Sequence, residues 1–280
     1  MVKMAVAAAR LLAGSDPAVY RRDFDDCAGT YDQAVTRPLL AEATARALTA
    51  ASLRPGMTCL DLGCGTGQST MAILDLIRPG GRVTGCDFSP GMLAVARDRL
   101  SGTPEAAFAE SDVFDFLAAR SGESVDFIGS FWSMEYFDHA RLLREARRVL
   151  RPGGTVCVLV NLRHSLGELQ DLVAPIILRH PLSLRRVPPL NFLGSAEEFG
   201  RVARAAGLET LHLAEETVAC TFPTGAGLVT WIRTGGPAAG FRGSLRDGSR
   251  ERIFGLIARE TDRRGGLTAA FCHVHYRGRR

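Results

Sequence analysis

A glycine-rich loop directly follows a short apolar strand in the first half of the chain. Residues 59–68 read Cys-Leu-Asp-Leu-Gly-Cys-Gly-Thr-Gly-Gln, so that Asp61 precedes three alternating glycines. Glycines at such a turn let the backbone approach a ligand that any Cβ would block. Dinucleotide loops have the spacing G-x-G-x-x-G, but Gln68 occupies the third glycine position here. Asp61 would repel a pyrophosphate and attract an ammonium group, so the loop favours a phosphate-free ligand.

Three later segments place acids or glycines at the ends of predicted elements. Residues 82–93 form an apolar strand that ends in Asp87, 20 residues after Gly67, before a helix start. At that offset an acid can accept hydrogen bonds from both hydroxyls of a ribose. Residues 109–113 carry a further acid, and residues 147–154 end in Pro-Gly-Gly. A cofactor with an amino-acid tail, a ribose and an adenine fits this pattern, and that cofactor is S-adenosylmethionine (SAM).

With these four signatures in this order, residues 24–154 resemble the class I SAM-dependent methyltransferases, and they are most similar to the small-molecule, UbiE/BioC-like branch. The resemblance implies a Rossmann-like fold, SAM as cofactor, and methyl transfer to a small-molecule acceptor. It places the acid of the third signature near the adenine amino group and the end of strand four beside the methionine moiety. The cofactor-binding residues implied in this way are Tyr31, Asp61, Gly63, Cys64, Gly65, Gly67, Asp87, Phe88, Met92, Ser111, Asp112, Val113, Ser130 and Phe131.

The catalytic candidates follow from the needs of methyl transfer. Displacement at a sulfonium methyl group is in line, so most of the task is positioning. A base is required only where the acceptor must first lose a proton, as a phenol or C–H acid must. Glu135 and Tyr136, just after predicted strand four, are the base candidates; the alternative is a helix-capping glutamate and a core tyrosine. Tyr31 lies in a segment that resembles the family's lid, and we expect it to contact the sulfonium region.

The acceptor side is predicted from an apolar segment after strand five. Residues 165–179 show a helical pattern with a Leu- and Ile-rich face, followed by three prolines. Leaving the carboxyl end of strand five, this segment would arch over the crevice as a cap for an apolar acceptor. Arg179, Arg185 and Arg186 could bind an anionic head group or form a solvated face. The predicted substrate-binding residues are Tyr20, Trp132, His164, Arg179 and Trp231.

The elements that position these residues alternate along the chain. Strands are predicted near 57–62, 82–87, 106–109, 125–131 and 154–160, with helices near 67–77, 90–100, 113–120 and 139–150 between them. This alternation predicts an α/β fold with a doubly wound, mostly parallel sheet. Right-handed crossovers bring the carboxyl ends of the strands, and therefore the ligand crevice, to one edge.

The flanking segments complete four predicted regions. Residues 1–52 are an N-terminal helical lid, 53–160 the SAM-binding core, 161–194 the cap, and 195–280 the completion of the core. Ser15 to Pro17 is predicted to cap a helix that continues from Ala18, and 37–51 a second helix. A capping box at 195–198 predicts a helix over 196–206. Strands at 208–213 and 267–276 and a helix near 250–262 follow, the strands matching the family's edge hairpin.

The charge, the cysteines and the apolar runs of the sequence argue against several classes of protein. The net charge of +4 comes from scattered arginines, since Lys3 is the only lysine among 34 basic residues, which argues against a nucleic-acid partner. Seven cysteines form no C-x-x-C pair and no ligand spacing with histidine, which favours a reducing, cytoplasmic setting and predicts no metal site. No apolar run reaches the roughly 20 residues of a membrane span. The apolar leader at 2–12 could be an exchange arm in a homo-oligomer or a disordered terminus.

Three functional hypotheses remain open from the sequence. The first is methylation of an apolar small molecule, in specialised-metabolite or quinone-like biosynthesis. The second is methylation of a carboxylate on an acyl chain bound to a carrier protein, with the cap arginines docking the carrier. The third is a SAM-binding protein that transfers no methyl group and acts as a cyclase or scaffold, because fold does not fix function.

Overall fold

The computed structural model describes residues 18–184, 190–235 and 241–280. Its strands are β1 (Thr58–Leu62), β2 (Arg82–Asp87), β3 (Ala106–Glu110), β4 (Val125–Phe131), β5 (Leu150–Asn161), β6 (Glu209–Phe222) and β7 (Leu267–Arg279). They form one sheet in the order β3-β2-β1-β4-β5-β7-β6. The first five strands pair in parallel, whereas β7 is antiparallel to β5. The predicted doubly wound, mostly parallel sheet is therefore confirmed.

The helices between the strands fall close to their predicted positions. In chain order they are α1 (Ala18–Cys27), α2 (Arg37–Ala50), α3 (Gln68–Ile77), α4 (Pro90–Arg99), α5 (Val113–Ala118), α6 (His139–Val149), α7 (Gly167–Arg179), α8 (Ala196–Ala205), α9 (Gly225–Thr234), α10 (Phe241–Ser244) and α11 (Asp247–Arg263). Short 3-10 helices span Tyr31–Gln33, Met134–Tyr136 and Pro181–Ser183. The helix N-cap predicted at 15–17 and the arginines at 185–186 lie outside the described residues.

The second half of the chain departs most from the predicted elements. Strand β6 extends to Phe222, nine residues beyond the predicted end, and α9 was not predicted at all. The capping box is only half as predicted. Ser195 Oγ accepts a hydrogen bond from Glu198 N at 3.2 Å, but the Glu198 carboxylate accepts from Gly194 N instead of Ser195 N. A strand with alternating polar residues and a helix with glycine at two of its first three positions both give weak local signals, so their extents depend on tertiary packing.

The chain divides into two compact units. A helical unit contains the described parts of Met1–Arg37, Leu166–Pro189 and Ala219–Phe271, and a sheet unit contains Pro38–Ser165, Leu190–Val218 and Cys272–Arg280. The predicted core, 53–160, falls entirely within the sheet unit. The predicted lid, cap and C-terminal regions are each divided between the two units, so their roles stay predictions.

Two apolar layers cover the two faces of the sheet unit. On one face Leu60, Ile128 and Val158 pack with α5, α6 and α8 residues such as Leu117 and Phe199. On the other face strand residues such as Phe127 pack with side chains of α2 and α3. Strand order reverses between β1 and β4, and in sheets of this kind the ligand crevice lies at that reversal, outside the carboxyl ends.

The helical unit has its own buried polar contacts. Asp23 of α1 is 5% exposed, and its Oδ2 accepts a hydrogen bond from Gly243 N at 3.0 Å. Helices α9 and α11 pack closely, since a Cβ at Gly225 would lie 2.1 Å from the Ala258 carbonyl oxygen. Among the described residues, no helix combines the length and apolarity needed to span a membrane.

Candidate active site

Asp61 is the most deeply buried acid at the carboxyl edge of the sheet. It lies in β1 with 0% exposure, and its Oδ2 accepts hydrogen bonds from Ser69 Oγ at 2.7 Å and Thr70 Oγ1 at 2.6 Å. Both hydroxyls belong to the first turn of α3, because the glycine loop turns the chain back over the end of β1. The carboxylate therefore ties the strand to the helix that follows it.

The second oxygen of Asp61 differs from the first. Asp61 Oδ1 is buried and accepts no hydrogen bond from any described residue, and burial raises the pKa of Asp61 to about 6. An unpaired buried acceptor is costly, and a bound ammonium group would satisfy it. This orphaned oxygen fits the amino-acid end of the predicted cofactor.

Each of the three loop glycines has a left-handed backbone, but their surroundings differ. A Cβ at Gly63 (φ +70°) would lie 2.5 Å from Ser133 Cβ, and one at Gly67 (φ +80°) would lie 3.0 Å from Ala96 Cβ. A Cβ at Gly65 (φ +52°) would meet nothing within 4 Å. The outer glycines therefore allow close packing of protein on protein, whereas Gly65 faces open space that a ligand can enter.

Asp87 joins the ends of β1 and β2. Its Oδ2 accepts a hydrogen bond from Gly65 N at 2.9 Å, and its Oδ1 accepts from Ser89 N at 2.9 Å. The side chain is 8% exposed at the end of β2. Because each carboxylate oxygen can accept more than one hydrogen bond, these contacts orient the group and still allow ribose hydroxyls to bind. The structure thus brings Asp87 and the glycine loop together, as the sequence spacing predicts.

The segment after β3 lies beside the same edge. Ser111 N donates to the Asp87 carbonyl oxygen at 3.1 Å. Asp112 is exposed and caps α5, accepting from Phe114 N at 2.8 Å, and Val113 is 4% exposed. The capping bond explains why an acid stands at this position without any ligand, so the adenine contact of Asp112 stays a prediction.

The other predicted cofactor residues differ in exposure. Met92, in the first turn of α4, is 1% exposed, while Phe88 at the end of β2 is half-buried. Cys64 is 4% exposed, and burial raises the pKa of its thiol well above the usual range. Ser130 is buried with its hydroxyl 2.9 Å from Ser133 Oγ, and Phe131 packs in the apolar layer with α2 and α3. Their side chains serve packing in the sheet unit, and their ligand contacts stay predictions.

Glu135 is a buried carboxyl group just beyond the end of β4. It is 5% exposed, and its Oε1 accepts a hydrogen bond from Asn161 Nδ2 at 2.9 Å. Within the described part of the chain its Oε2 has no partner. Burial raises the pKa of Glu135 above its usual range. The helix-capping alternative is wrong, because α6 is capped by Asp138, whose Oδ1 accepts from Arg141 N at 2.9 Å. A buried carboxylate with one open oxygen is suited to accepting a proton.

Tyr136 and Trp132 flank Glu135 in sequence. Tyr136 is half-buried in the 3-10 helix, which matches only in part the alternative that it is a buried core residue. Trp132 has a left-handed backbone (φ +60°), and its indole N–H donates to Thr44 Oγ1 at 3.0 Å. Its ring centroid lies 4.7 Å from that of His273. A bulky residue with positive φ is unusual, and here the hydrogen bond and ring contact hold it in place.

The remaining acceptor-side residues occupy varied environments. In the helical unit, Tyr20 is 8% exposed, Tyr31 is half-buried with the Arg37 guanidinium 4.6 Å from its ring centroid, and Arg179 is exposed. Trp231 is 2% exposed, and its indole N–H donates to Thr36 Oγ1 at 3.0 Å. His164, in the sheet unit, is exposed. The burial of Trp231 favours a packing role. The acceptor contacts of Tyr20, Trp132, His164, Arg179 and Trp231 stay predictions, and so does the contact of Tyr31 with the sulfonium region.

Sequence reasoning missed the residues that hold the key carboxyl groups. Ser69 and Thr70 bind Asp61, and Asn161 binds Glu135. The sequence could have predicted the two hydroxyl groups at the start of α3 as partners of Asp61, because they follow the loop that covers Asp61. Asn161 ends β5, and only the neighbouring position of β4 and β5 in the sheet brings it to Glu135.

Comparison with known proteins agrees with this geometry. Residues 60–158 match the family described as "Methyltransferase domain". This segment is therefore similar to methyltransferase domains. A demethylmenaquinone methyltransferase of Staphylococcus aureus is 31% identical over 122 residues, which cover 44% of this chain and 50% of the relative. The chain therefore spans about half the length of the curated relatives it matches.

Solved structures share the fold of the methyltransferase domain at lower identity. A geranyl diphosphate C-methyltransferase from Streptomyces coelicolor, in complex with S-adenosyl-L-homocysteine, is 18% identical with a TM-score of 0.52, covering 85% of this chain and 76% of its own. The cyclase SpnF is 19% identical with a TM-score of 0.55, covering 86% and 80%. At such identities the likeness establishes the fold alone.

Proposed function

We propose that this protein is a SAM-dependent methyltransferase that acts on an apolar small molecule. The observation that carries the proposal is the buried carboxylate of Asp61, whose Oδ1 has no partner, beside a glycine loop tied to Asp87. The amino group of SAM would pair with Asp61, and its ribose hydroxyls would bind Asp87. The matched methyltransferase family and the cofactor product bound in one structural neighbour support this assignment.

The residues of this chain would do three things in the reaction. Bound SAM supplies a methyl group activated by its sulfonium. Asp61 fixes the amino-acid end of the ligand and Asp87 its ribose, and the open space at Gly65 lets the backbone approach it. Glu135, through its unpartnered Oε2, accepts a proton from an acceptor that must be deprotonated, while Asn161 holds its other oxygen. Exclusion of water at these buried groups strengthens every charge interaction there.

An apolar acceptor of quinone-like type is the substrate class we favour. The curated relative named above acts, by its name, on a demethylated menaquinone. Helix α7 contributes a buried Leu172 and Ile176 but also an exposed Leu178, which is consistent with a predicted apolar cap. Assembly through the leader at 2–12, a cytoplasmic location and a role in specialised metabolism remain part of the proposal.

Cofactor binding is the first test. Native mass spectrometry of the fresh protein, before and after addition of SAM, should show one bound SAM or S-adenosylhomocysteine. Asp87→Asn should weaken binding in calorimetry by at least roughly tenfold, which corresponds to about 1.4 kcal/mol. Asp98→Asn, on the exposed side of α4, is the matched control and should bind as the wild type does. A wild-type protein that ignores SAM would overturn the proposal.

Turnover distinguishes the competing functions. Incubation with apolar phenolic or quinol acceptors should release S-adenosylhomocysteine. Release only with a carrier-bound acyl acid would favour the carboxyl methyltransferase alternative. A third outcome is that a substrate is rearranged while SAM stays intact. That outcome would favour the non-methylating cyclase alternative, which the structural likeness to the cyclase SpnF suggests.

A further inference from the structure

The strands at the edge of the sheet bring together three side chains that ligate metals in other proteins. His212 and Glu216 lie four residues apart on β6, so they project from the same face. His275 lies on β7. Each of the three offers one ligand atom, and these atoms all lie within 4.8 Å of one another.

The three groups are already in contact. His275 Nδ1 lies 2.9 Å from Glu216 Oε1, and the rings of His212 and His275 have centroids 4.4 Å apart. On the other side of the carboxylate, His273 Nε2 lies 3.7 Å from Glu216 Oε2. Glu216 therefore stands between two histidines of β7, with His212 close by.

An ion pair alone leaves this cluster incompletely satisfied. The Nε2 atoms of His212 and His275 are buried and have no hydrogen-bond partner among the residues that the structure describes. His275 is 7% exposed, so water has little access to its ring. A buried imidazole nitrogen without a partner is costly, and an ion that accepts an electron pair from such a nitrogen removes that cost.

We propose that His212, Glu216 and His275 bind a divalent metal ion of the zinc class. Imidazole with one carboxylate is a donor set of first-row transition metals, whereas Mg²⁺ and Ca²⁺ prefer oxygen ligands. Zinc lies about 2.0–2.2 Å from such ligands, so tetrahedral ligand atoms lie roughly 3.4 Å apart. Contraction from 4.8 Å or less is within reach of side-chain rotation.

The charges around the cluster partly oppose and partly support a bound cation. Two arginines act electrostatically on it. Arg46 is paired with the Glu42 carboxylate at 2.9 Å, whereas Arg277 donates to the neutral Ala50 carbonyl oxygen and keeps its positive charge. His273 would support Glu216 from outside the coordination sphere, as second partners of metal ligands commonly do. Bound in this way, the ion joins edge strand β6 to β7.

Zinc titration of tag-free, EDTA-treated full-length protein tests the site. Calorimetry should detect one Zn²⁺ per chain, and thermal unfolding should shift upward with Zn²⁺ but not with Mg²⁺. His212→Gln and Glu216→Gln should each weaken Zn²⁺ binding by at least about tenfold. His180→Gln is the matched control, since His180 lies on α7's C-terminal side in the helical unit, and should leave binding unchanged.

Two results would overturn the metal site. One is a wild-type protein that takes up no Zn²⁺; the other is wild-type affinity in both His212→Gln and Glu216→Gln, which would place any bound zinc elsewhere, for example on cysteines. Circular dichroism without metal verifies that each variant folds. Because the readout is metal binding, failure of this inference is separate from failure of SAM binding.

Discussion

Two buried carboxyl groups at neighbouring strand ends, Asp61 and Glu135, carry most of the proposed chemistry. Each has one oxygen held by protein donors and one that no described residue contacts by a hydrogen bond. Burial raises the pKa of both side chains. At these positions a carboxyl group lowers the stability of the ligand-free protein, but it is available to interact with a bound ligand.

The first prediction concerns Asp61→Asn. Its native pKa of about 6 lies above the unfolded value of 3.8, so stability falls as pH rises from 4 to 6 and stays lower above that. A neutral asparagine removes this cost, and at pH 7.5 we expect ligand-free stability to rise by up to about 3 kcal/mol. Chemical unfolding at pH 7.5 and pH 5 should show a smaller gain at the lower pH.

The affinity for SAM should rise with pH, whereas the stability of the ligand-free protein falls with pH. The ionised carboxylate is the form that pairs with an ammonium group, so wild-type affinity for SAM should fall about tenfold per pH unit below 6. Asp61→Asn should bind weakly at every pH. A variant that is less stable yet binds SAM normally would contradict both expectations.

A second prediction separates the roles of Glu135 and its partner. Glu135→Gln keeps the shape and removes the base, so kcat for a phenolic acceptor should drop by roughly 10²–10⁴-fold while SAM affinity is unchanged. Asn161→Ala should shift the pH profile of kcat to higher pH, because the hydrogen bond that Asn161 Nδ2 donates to Oε1 lowers the pKa of the Glu135 carboxyl group. Unchanged kcat in Glu135→Gln would remove Glu135 from the reaction.

At the scale of elements, the turn from β1 into α3 positions the elements around the candidate site. Its glycines adopt left-handed backbone angles that L side chains rarely occupy. Gly67 starts α3 against Ala96 of α4, and Gly63 lies against Ser133 beyond β4. One loop thereby fixes three elements around the end of β1.

The third prediction compares two alanine substitutions in this loop. Gly63→Ala would place a Cβ 2.5 Å from Ser133 Cβ, so we expect it to lower the free energy of unfolding by at least about 2 kcal/mol. Gly65→Ala meets no protein atom within 4 Å and should cost only about 1 kcal/mol of backbone strain. Its main effect should be on SAM affinity, measured by calorimetry. Equal loss of stability in both variants would contradict this division.

At the scale of the molecule, the two compact units allow a test of the predicted lid. SAM should slow hydrogen exchange in the sheet unit at 61–70 and 87–92, where its proposed contacts lie. If residues 18–33 of the helical unit close over the cofactor, they should gain protection as well. Exchange mass spectrometry with and without SAM measures both, and α11 (Asp247–Arg263) is an internal reference. Protection at 61–70 without any at 18–33 would remove the lid.

The sequence by itself determined the sheet type, the first five strands and the acids at their ends. Strand periodicity, glycine angles and the offset from Gly67 to Asp87 are local properties, so they can be read along the chain. Such local signals also placed Asp87 beside the glycine loop, because the first two strands of a βαβ unit pair directly.

Tertiary structure decided which groups meet across long separations. Asn161 reaches Glu135 only because β5 pairs with β4, and His275 meets Glu216, 59 residues earlier, only because β6 and β7 meet at the sheet edge. The sequence predicted no metal site, because its seven cysteines form no C-x-x-C pair and show no ligand spacing with histidine. Strand order and register are properties of the assembled sheet, and they depend on packing that no local segment encodes.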